Sequence, residues 1–575
     1  MIQCQFCVGT VGDKARFCSN CGNPVSDLSP PTHAMPKFDG TRVSDALAIS
    51  ATNEADATFE FCKHKNIAKP NVVSSDAIRH TLFVLPEYFF DSLQEILESF
   101  DVEAAGIICS TNGLCVVDKC QQLIRDDQAG SIRYVCIIGN WHDVPPLNVP
   151  NDFGMDDGDA FCQSDAFFGA TQAFNPEDPF TAIPDIPVGR IPVADLDIVQ
   201  RVLGSDPEVS PTRNVFQFGV TAQCWEVASK EIVSSFPNLV AGGPHALMPK
   251  DVKSLPKSVL ISSPQWTEHE FRRVASSGPA DPFGLIYFNV HGGADKPQWV
   301  GEGEFGGYVH IFEPGTIVNF NSALVVSEAC YGGALSYDSP SIVEHFFANR
   351  GHSFVGSSTI AYGAKATPIS AADLIAKHYV LCLYDGLANG EALKLAKMEV
   401  LAEDPLSLEY AFKTVLSFNL FGAPWQTLVR HSLATTLAQP VTGRQTGGSV
   451  LNRVRTNLQS PAPSGGSTIN RIREEYRSRL PARNRQFIIQ SSEILTKLRE
   501  FKDFSKIMEE VSKWGARLDD LKLDFVSAGS AQGYRLICPV NEPNKSKSTL
   551  ILITDSNGQL TKTLVSKEKN ELPIM

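Results

Sequence analysis

Two stretches decide the reading of this chain: Leu285-Ile286-Tyr287-Phe288-Asn289-Val290-His291-Gly292-Gly293 and Leu324-Val325-Val326-Ser327-Glu328-Ala329-Cys330-Tyr331-Gly332-Gly333. Each is a short apolar run that ends in one reactive side chain followed by small residues. Such runs are what a strand buried on both faces requires. Adjacent parallel strands put their C-terminal ends on one edge of the sheet, where open α/β folds bind ligands. An imidazole and a thiol, 39 residues apart in sequence, would meet on that edge. The thiol needs this neighbour, because at a pKa of about 8.5 it is only a few per cent thiolate at neutral pH. Gly292 and Gly293 let a substrate backbone approach closely and leave N–H groups to stabilise an oxyanion. A buried cysteine is ordinarily a small core hydrophobe, and Cys109, Cys115, Cys120, Cys136, Cys162, Cys224, Cys382 and Cys538 read that way. The paired pattern sets Cys330 and His291 apart, and both are expected at strand ends open to substrate.

Working outward, the same kind of run recurs at Thr81 to Leu85, Tyr134 to Gly139, Val215 to Ala222 and Ser353 to Gly356. Helical periodicity alternates with these runs at Phe89 to Phe100, Ser341 to Ala348 and Ala371 to Leu387, which implies an α/β sheet. Residues 26–75 read as a linker, and so do the Gly/Ser/Pro-rich residues 433–468. Between them lie an α/β unit over 76–210 and a second, carrying the His and Cys, over 211–432. Beyond them, residues 469–575 combine helical stretches (Ile469 to Ser478, Arg485 to Arg517) with four strand-like runs from Leu523 to Val565, a small α+β domain suited to interaction or regulation.

At 575 residues with 43% apolar and 20% charged residues, most of the chain can fold on its own cores. A formal charge of −14 excludes a nucleic-acid-coating protein, which needs a basic footprint, and disfavours anionic membranes. No apolar run reaches the length of a membrane span, and the start lacks a leader's basic and apolar regions, so the expected address is cytoplasmic.

Four of the fourteen cysteines fall in the first 21 residues, as Cys4-x2-Cys7 and Cys18-x2-Cys21. Two such pairs can converge as four thiolates on one tetrahedral zinc, in a segment too short to fold on a hydrophobic core. Residues 1–25 therefore read as a structural zinc ribbon, with no open position for catalytic water. The run from Ala15 to Val25 also resembles the second knuckle of small bacterial zinc ribbons.

Strand-His-Gly followed by strand-x-Ala-Cys-x-Gly resembles the signature of the caspase-like cysteine peptidases, and the wider match is to the gingipain type. Cys136 to Asn140 with Val144-Pro145-Pro146, Ser164-Asp165-Ala166-Phe167-Phe168-Gly169, Val188-Gly189-Arg190-Ile191-Pro192 and Phe418-Asn419-Leu420-Phe421-Gly422-Ala423-Pro424 are similar, in order, to further segments of that family. The resemblance covers roughly 80–430. It implies two side-by-side caspase-like α/β subdomains and a protein or peptide substrate, with Cys330 as nucleophile and His291 as proton-transfer partner. The family's third catalytic residue, a Glu, is matched by Gln223, so a dyad is expected. The ungapped match puts Glu226 at the acid that floors the family's pocket for Arg or Lys; its bland reading is a solvated helix start. Glu328, two residues before the nucleophile, is a second candidate for that pocket. The resemblance also raises calcium at Asp152, Asp156, Asp157, Asp159 and Asp165, but their spacing does not match a helix-loop-helix calcium loop, and a solvated acidic loop is the preferred reading.

The function implied is an intracellular endopeptidase cutting after basic residues in regulated proteolysis, such as bacterial defence or cell death. Its terminal domains would bind regulatory protein partners, and its own second linker, with Arg444, Arg453 and Arg455, is a candidate substrate. The alternative is a catalytically silent caspase-like scaffold for protein–protein interaction.

Overall fold

The computed structural model describes residues 2–3, 10–11, 72–204, 216–235, 258–263, 283–427 and 483–566, with breaks at 112, 114, 152–157, 177, 295, 303–307, 315–323, 336–339, 404–407, 489–490, 518–519, 529–530 and 542–546. The zinc cysteines Cys4, Cys7, Cys18 and Cys21, the 433–468 linker with its three arginines, Asp152, Asp156 and Asp157 lie outside the described residues. The helix Val72–Arg79 begins inside the stretch read as the first linker.

The apolar runs become neighbouring strands of one ten-stranded sheet. Its spatial order is Ser258–Ser263, Phe216–Ala222, Phe283–Asn289, Leu324–Ser327, Ser353–Ser357, Phe418–Phe421, Val188–Ile191, Tyr134–Ile138, Thr81–Pro86, Gly106–Ser110. The first five are mutually parallel, and so are the last five. The two sets meet antiparallel where Phe354 pairs with Phe421 and Ser357 with Phe418. Phe418–Phe421, late in the sequence, therefore joins the N-terminal half of the sheet.

Helices cover both faces, as a predominantly parallel sheet demands. Along the single strand Thr81–Pro86, Leu82 and Val84 enter one core while Phe83 and Leu85 enter the other. The helix Phe90–Phe100 buries Leu93, Ile96, Leu97 and Phe100, the spacing of one helical face. Ser341 caps Ile342–Ala348 through a reciprocal box with Glu344, which fixes where that helix starts.

The family-like segments converge on one buried clasp. Arg190 is fully buried and forks onto Asp165, with Nε donating to Oδ2 at 2.7 Å and Nη2 to Oδ1 at 2.6 Å. Its Nη1 donates to the carbonyls of Gly139 and Asn140. Asn419 Oδ1 accepts from Asp165 N–H, and its Nδ2 donates to Gln163 O, tying in the antiparallel junction. Asp165 is thus a structural partner of arginine, which corrects its placement in a solvated acidic loop.

The C-terminal region builds its own antiparallel sheet from Arg483–Ile488, Lys522–Ala528, Ala531–Asn541, Lys547–Asp555 and Leu560–Ser566. Its four later strands match the sequence reading. Arg483–Ile488, read as the start of a helical stretch, is instead an edge strand paired with Lys522–Ala528; the helices there are Ser491–Arg499 and Phe504–Lys513. A sixth strand, Tyr362–Ala364, comes from the region that carries His291 and Cys330, and it pairs with Leu560–Ser566. Arg535 adds a buried cross-connection, held by Asp524 and by Glu409 at 2.6 Å. Among the described residues no helix is long and apolar enough to cross a membrane.

Candidate active site

Strand register brings the His and Cys together. Phe288 pairs with Ser327 in the parallel ladder, and His291 and Cys330 each follow three residues later. Glu328 N–H extends the ladder by donating to Phe288 O at 2.8 Å. Gly292 then lies directly on the Cys330 backbone, where an added Cβ would fall 1.9 Å from Cys330 O. Only glycine permits that approach.

Cys330 is 1% exposed and His291 4%, so neither is the open strand end expected from sequence. The backbone of Ala361 covers the thiol: its N–H donates to Sγ at 3.2 Å, and Sγ lies 3.5 Å from its carbonyl oxygen. Tyr331, next after the cysteine, adopts φ 53°, a conformation uncommon for a non-glycine residue that costs local strain. It is held at both ends, with its N–H on Thr359 O and its hydroxyl on Asp159 Oδ1 at 2.6 Å. Asp159 also accepts from Ile360 N–H and from Lys413 Nζ. This carboxylate anchors the loops around the thiol, which overturns its reading as a solvated group.

After His291 the chain turns into an antiparallel ribbon in which His291 pairs with Val300 and Gly292 with Trp299. Glu302, two residues beyond Val300, shares its face, and its Oε2 lies 2.5 Å from His291 Nε2. Tyr308 donates to the other carboxylate oxygen at 3.0 Å. The Trp225 ring lies 4.4 Å from the imidazole, centroid to centroid. The group on Nε2 is therefore the carboxylate of Glu302 and not the amide of Gln223, which sits in the turn Gln223–Trp225. A carboxylate fixes the imidazole tautomer and stabilises an imidazolium, whereas an amide does only the first. Sequence reading missed Glu302 because it follows no motif; the one available signal was its apolar-flanked position, Trp299-Val300-Gly301-Glu302, just after His-Gly-Gly. Cys224, read as a core hydrophobe, is only half-buried and its Sγ lies 3.7 Å from Glu302 Oε2.

The two candidate pocket acids part company. Glu226 opens the helix Glu226–Ser234 and pairs with Lys230 one turn on. Glu328 is fully buried and accepts from Tyr287 OH at 2.7 Å. Burial first, and the Glu328 charge second, push the Tyr287 phenol far above its ordinary value, so it stays a donor. Ser229 joins Thr221 and Asn289 in the same buried network. The depression beside Cys330 is lined by Gly293, Pro297, Gln298, Trp299, Tyr331 and Ile342, without either acid.

The fold and site define a mixed α/β protein with a thiol, an imidazole and a carboxylate gathered at one sheet edge. No family model matches this chain, and no curated protein does. Among solved structures it aligns with the complex of Porphyromonas gingivalis RgpB pro- and mature domains, at 10% identity and a TM-score of 0.41 over 86% of this chain and 100% of that one. It aligns equally with the Arg-specific cysteine proteinase gingipain R, at 10% identity and 0.41 over 86% of this chain and 98% of that one. A structure described as a protease follows at 9% identity and 0.38, over 84% and 96%. The chemistry of the site rests on its own geometry.

Proposed function

We propose that the protein is a cysteine endopeptidase in which Cys330 attacks the scissile carbonyl and His291 moves the proton. The observation that carries this reading is the equal three-residue offset of His291 and Cys330 from a paired register position. With Nε2 engaged by Glu302, proton exchange with the thiol and the leaving amine runs through Nδ1. Thiolate attack gives a tetrahedral oxyanion, for which the N–H groups of Gly292, Gly293 and Cys330 itself are the local donors. Collapse expels the amine with the proton from His291, and water then hydrolyses the thioester. A preference for a basic residue on the acyl side of the cut stays part of this proposal, with Glu328 as the acid that would pair with it only if substrate uncovers the carboxylate now held by Tyr287.

The C-terminal sheet is the regulatory module on this reading. It takes Tyr362–Ala364 as its edge strand, immediately after the Ala361 backbone that covers the thiol. Self-cleavage in the 440–456 linker would alter that attachment. The N-terminal cysteines hold a structural zinc, and the cytoplasm is the proposed setting.

Burial of the thiol favours one second reading, a silent scaffold. A cleavage screen on a peptide library, with wild type beside Cys330→Ala, decides between them. Cleavage after Arg or Lys in wild type only is the expected result. Absence of Cys330-dependent cleavage, together with no labelling by a thiol-reactive peptidyl-Arg probe, would establish the scaffold.

A further inference from the structure

The proposed chemistry uses His291 and Glu302 and assigns nothing to Cys224. Cys224 Sγ, an imidazole nitrogen of His291 and a carboxylate oxygen of Glu302 all lie within 4.8 Å of one another. They come from three separate elements: the turn Gln223–Trp225, the short ribbon strand His291–Gly292, and the ribbon strand Trp299–Glu302. One sulfur, one nitrogen and one oxygen donor make a set that suits a borderline-soft, tetrahedral divalent ion.

The spacing can be checked against that geometry. Metal–sulfur bonds near 2.3 Å and metal–nitrogen or metal–oxygen bonds near 2.0–2.1 Å put tetrahedral donors about 3.3–3.6 Å apart. Cys224 Sγ and Glu302 Oε2 are already 3.7 Å apart. His291 Nε2 and Glu302 Oε2, at 2.5 Å, are a hydrogen-bonded pair and must open by about 1 Å to admit a metal. The supports that hold metal ligands are present: Tyr308 OH on the second oxygen of Glu302, and the fully buried Trp225 against the imidazole.

We propose that Cys224, His291 and Glu302 form an inhibitory binding site for a thiophilic divalent cation of the zinc class, separate from the N-terminal cysteines. Three protein ligands leave the fourth position for water. On binding, Cys224 gives its thiol proton to solvent and becomes a thiolate ligand, and the imidazole, ligated at Nε2, carries its remaining proton on Nδ1. That nitrogen can no longer accept the proton of Cys330, and Glu302 is drawn from the imidazole to the metal. The inhibitory consequence rests on the peptidase reading; the binding site does not.

The test uses the full chain, stripped with a chelator and titrated with Co2+, whose thiolate charge-transfer absorption reports sulfur ligation. Wild type and Cys330→Ala should each take up one equivalent more than Cys224→Ser or His291→Ala in the same background. Equal uptake by wild type and both variants overturns the site, whatever the status of the peptidase. Zn2+ should also slow alkylation of Cys330 by iodoacetamide in wild type and not in Cys224→Ser. The extra equivalent without that protection would overturn the inhibitory role while leaving the catalytic reading to its own assay.

Discussion

Each half of the ten-stranded sheet buries a carboxylate against a nitrogen-bearing side chain: Asp165 against Arg190 on a parallel strand of the N-terminal half, and Glu302 against His291 on the antiparallel ribbon that follows the C-terminal half's strand Phe283–Asn289. In the N-terminal half, Arg190 meets a bidentate carboxylate and two backbone carbonyls at once. Its donors point at the elements that must be held together, so the pair acts as a clasp. In the C-terminal half, the His291–Glu302 pair is also buried, but the Cys224 thiol lies 3.7 Å from its carboxylate, and Gly292, next after His291, packs on the backbone of Cys330. An imidazole can pass a proton along, which a guanidinium cannot do at any ordinary pH. The comparison teaches that burial of a charge is not itself a sign of chemistry; the neighbour's ability to exchange a proton is.

The contrast breaks most directly at the thiol. Cys330→Ala and His291→Ala should each lower peptide cleavage by about 10³-fold or more, with the double variant no worse, as for groups that act as one unit. Thermal melting of Cys330→Ala should stay close to wild type, whereas His291→Ala also strips Glu302 of its buried partner and should melt lower. Substantial turnover in either single variant removes the catalytic assignment.

The clasp predicts the opposite pattern. Asp165→Ala strands a buried guanidinium and should cost about 3–5 kcal/mol in urea unfolding, as other broken buried pairs do. Asp165→Leu combined with Arg190→Met should recover much of that loss, because no charge is left uncompensated. A stable Asp165→Ala protein with normal unfolding would erase the difference between the halves.

Glu302→Gln sharpens the comparison further. It keeps a hydrogen-bonding partner for His291 but removes the charge that stabilises an imidazolium, so kcat should fall by about 10²-fold with little change in melting temperature. If stability fell instead and the rate held, Glu302 would belong with the clasp.

The smallest effect concerns Lys397, buried on the helix Asn389–Glu403 near Asp165. Burial lowers its ammonium from 10.5 to about 7, against the opposing pull of Asp165. Between those values the unfolded chain holds the proton and the folded one does not, so stability should rise with pH across that window, by up to about 1.4 kcal/mol per unit. Lys397→Met should flatten this slope in denaturation curves taken at about pH 7, 8 and 9, the lower part of the window. An unchanged slope would mean that the ammonium is solvated.

Much of this was legible in the residues. Apolar runs marked the inner strands that lead into His291 and Cys330, because a strand buried on both faces leaves an unbroken hydrophobic signature. The family-like segments singled out Val188–Ile191 and Phe418–Phe421, the second without being read as a strand. Gly106–Ser110 and Ser258–Ser263 went unread, and they are the two outermost strands of the sheet, where a short apolar run bounded by small residues suffices. The four late strands of the C-terminal domain were legible through their dense β-branched content. Arg483–Ile488 was not, since a charged edge strand carries no pattern that separates it from a polar helix face. Residue identity by itself determined the inner strands, the capped helix at Ser341 and the presence of a thiol and an imidazole behind matched apolar runs. The tertiary structure alone decided that Glu302 serves His291, that Asp159 and Asp165 are anchors, that Cys224 joins the imidazole, and that Ala361 covers the thiol. The reason is the range of the forces involved: burial patterns are written within a few residues of one another, whereas the partner of a buried charge is chosen by whichever donor or acceptor the register of distant strands brings within about 3 Å.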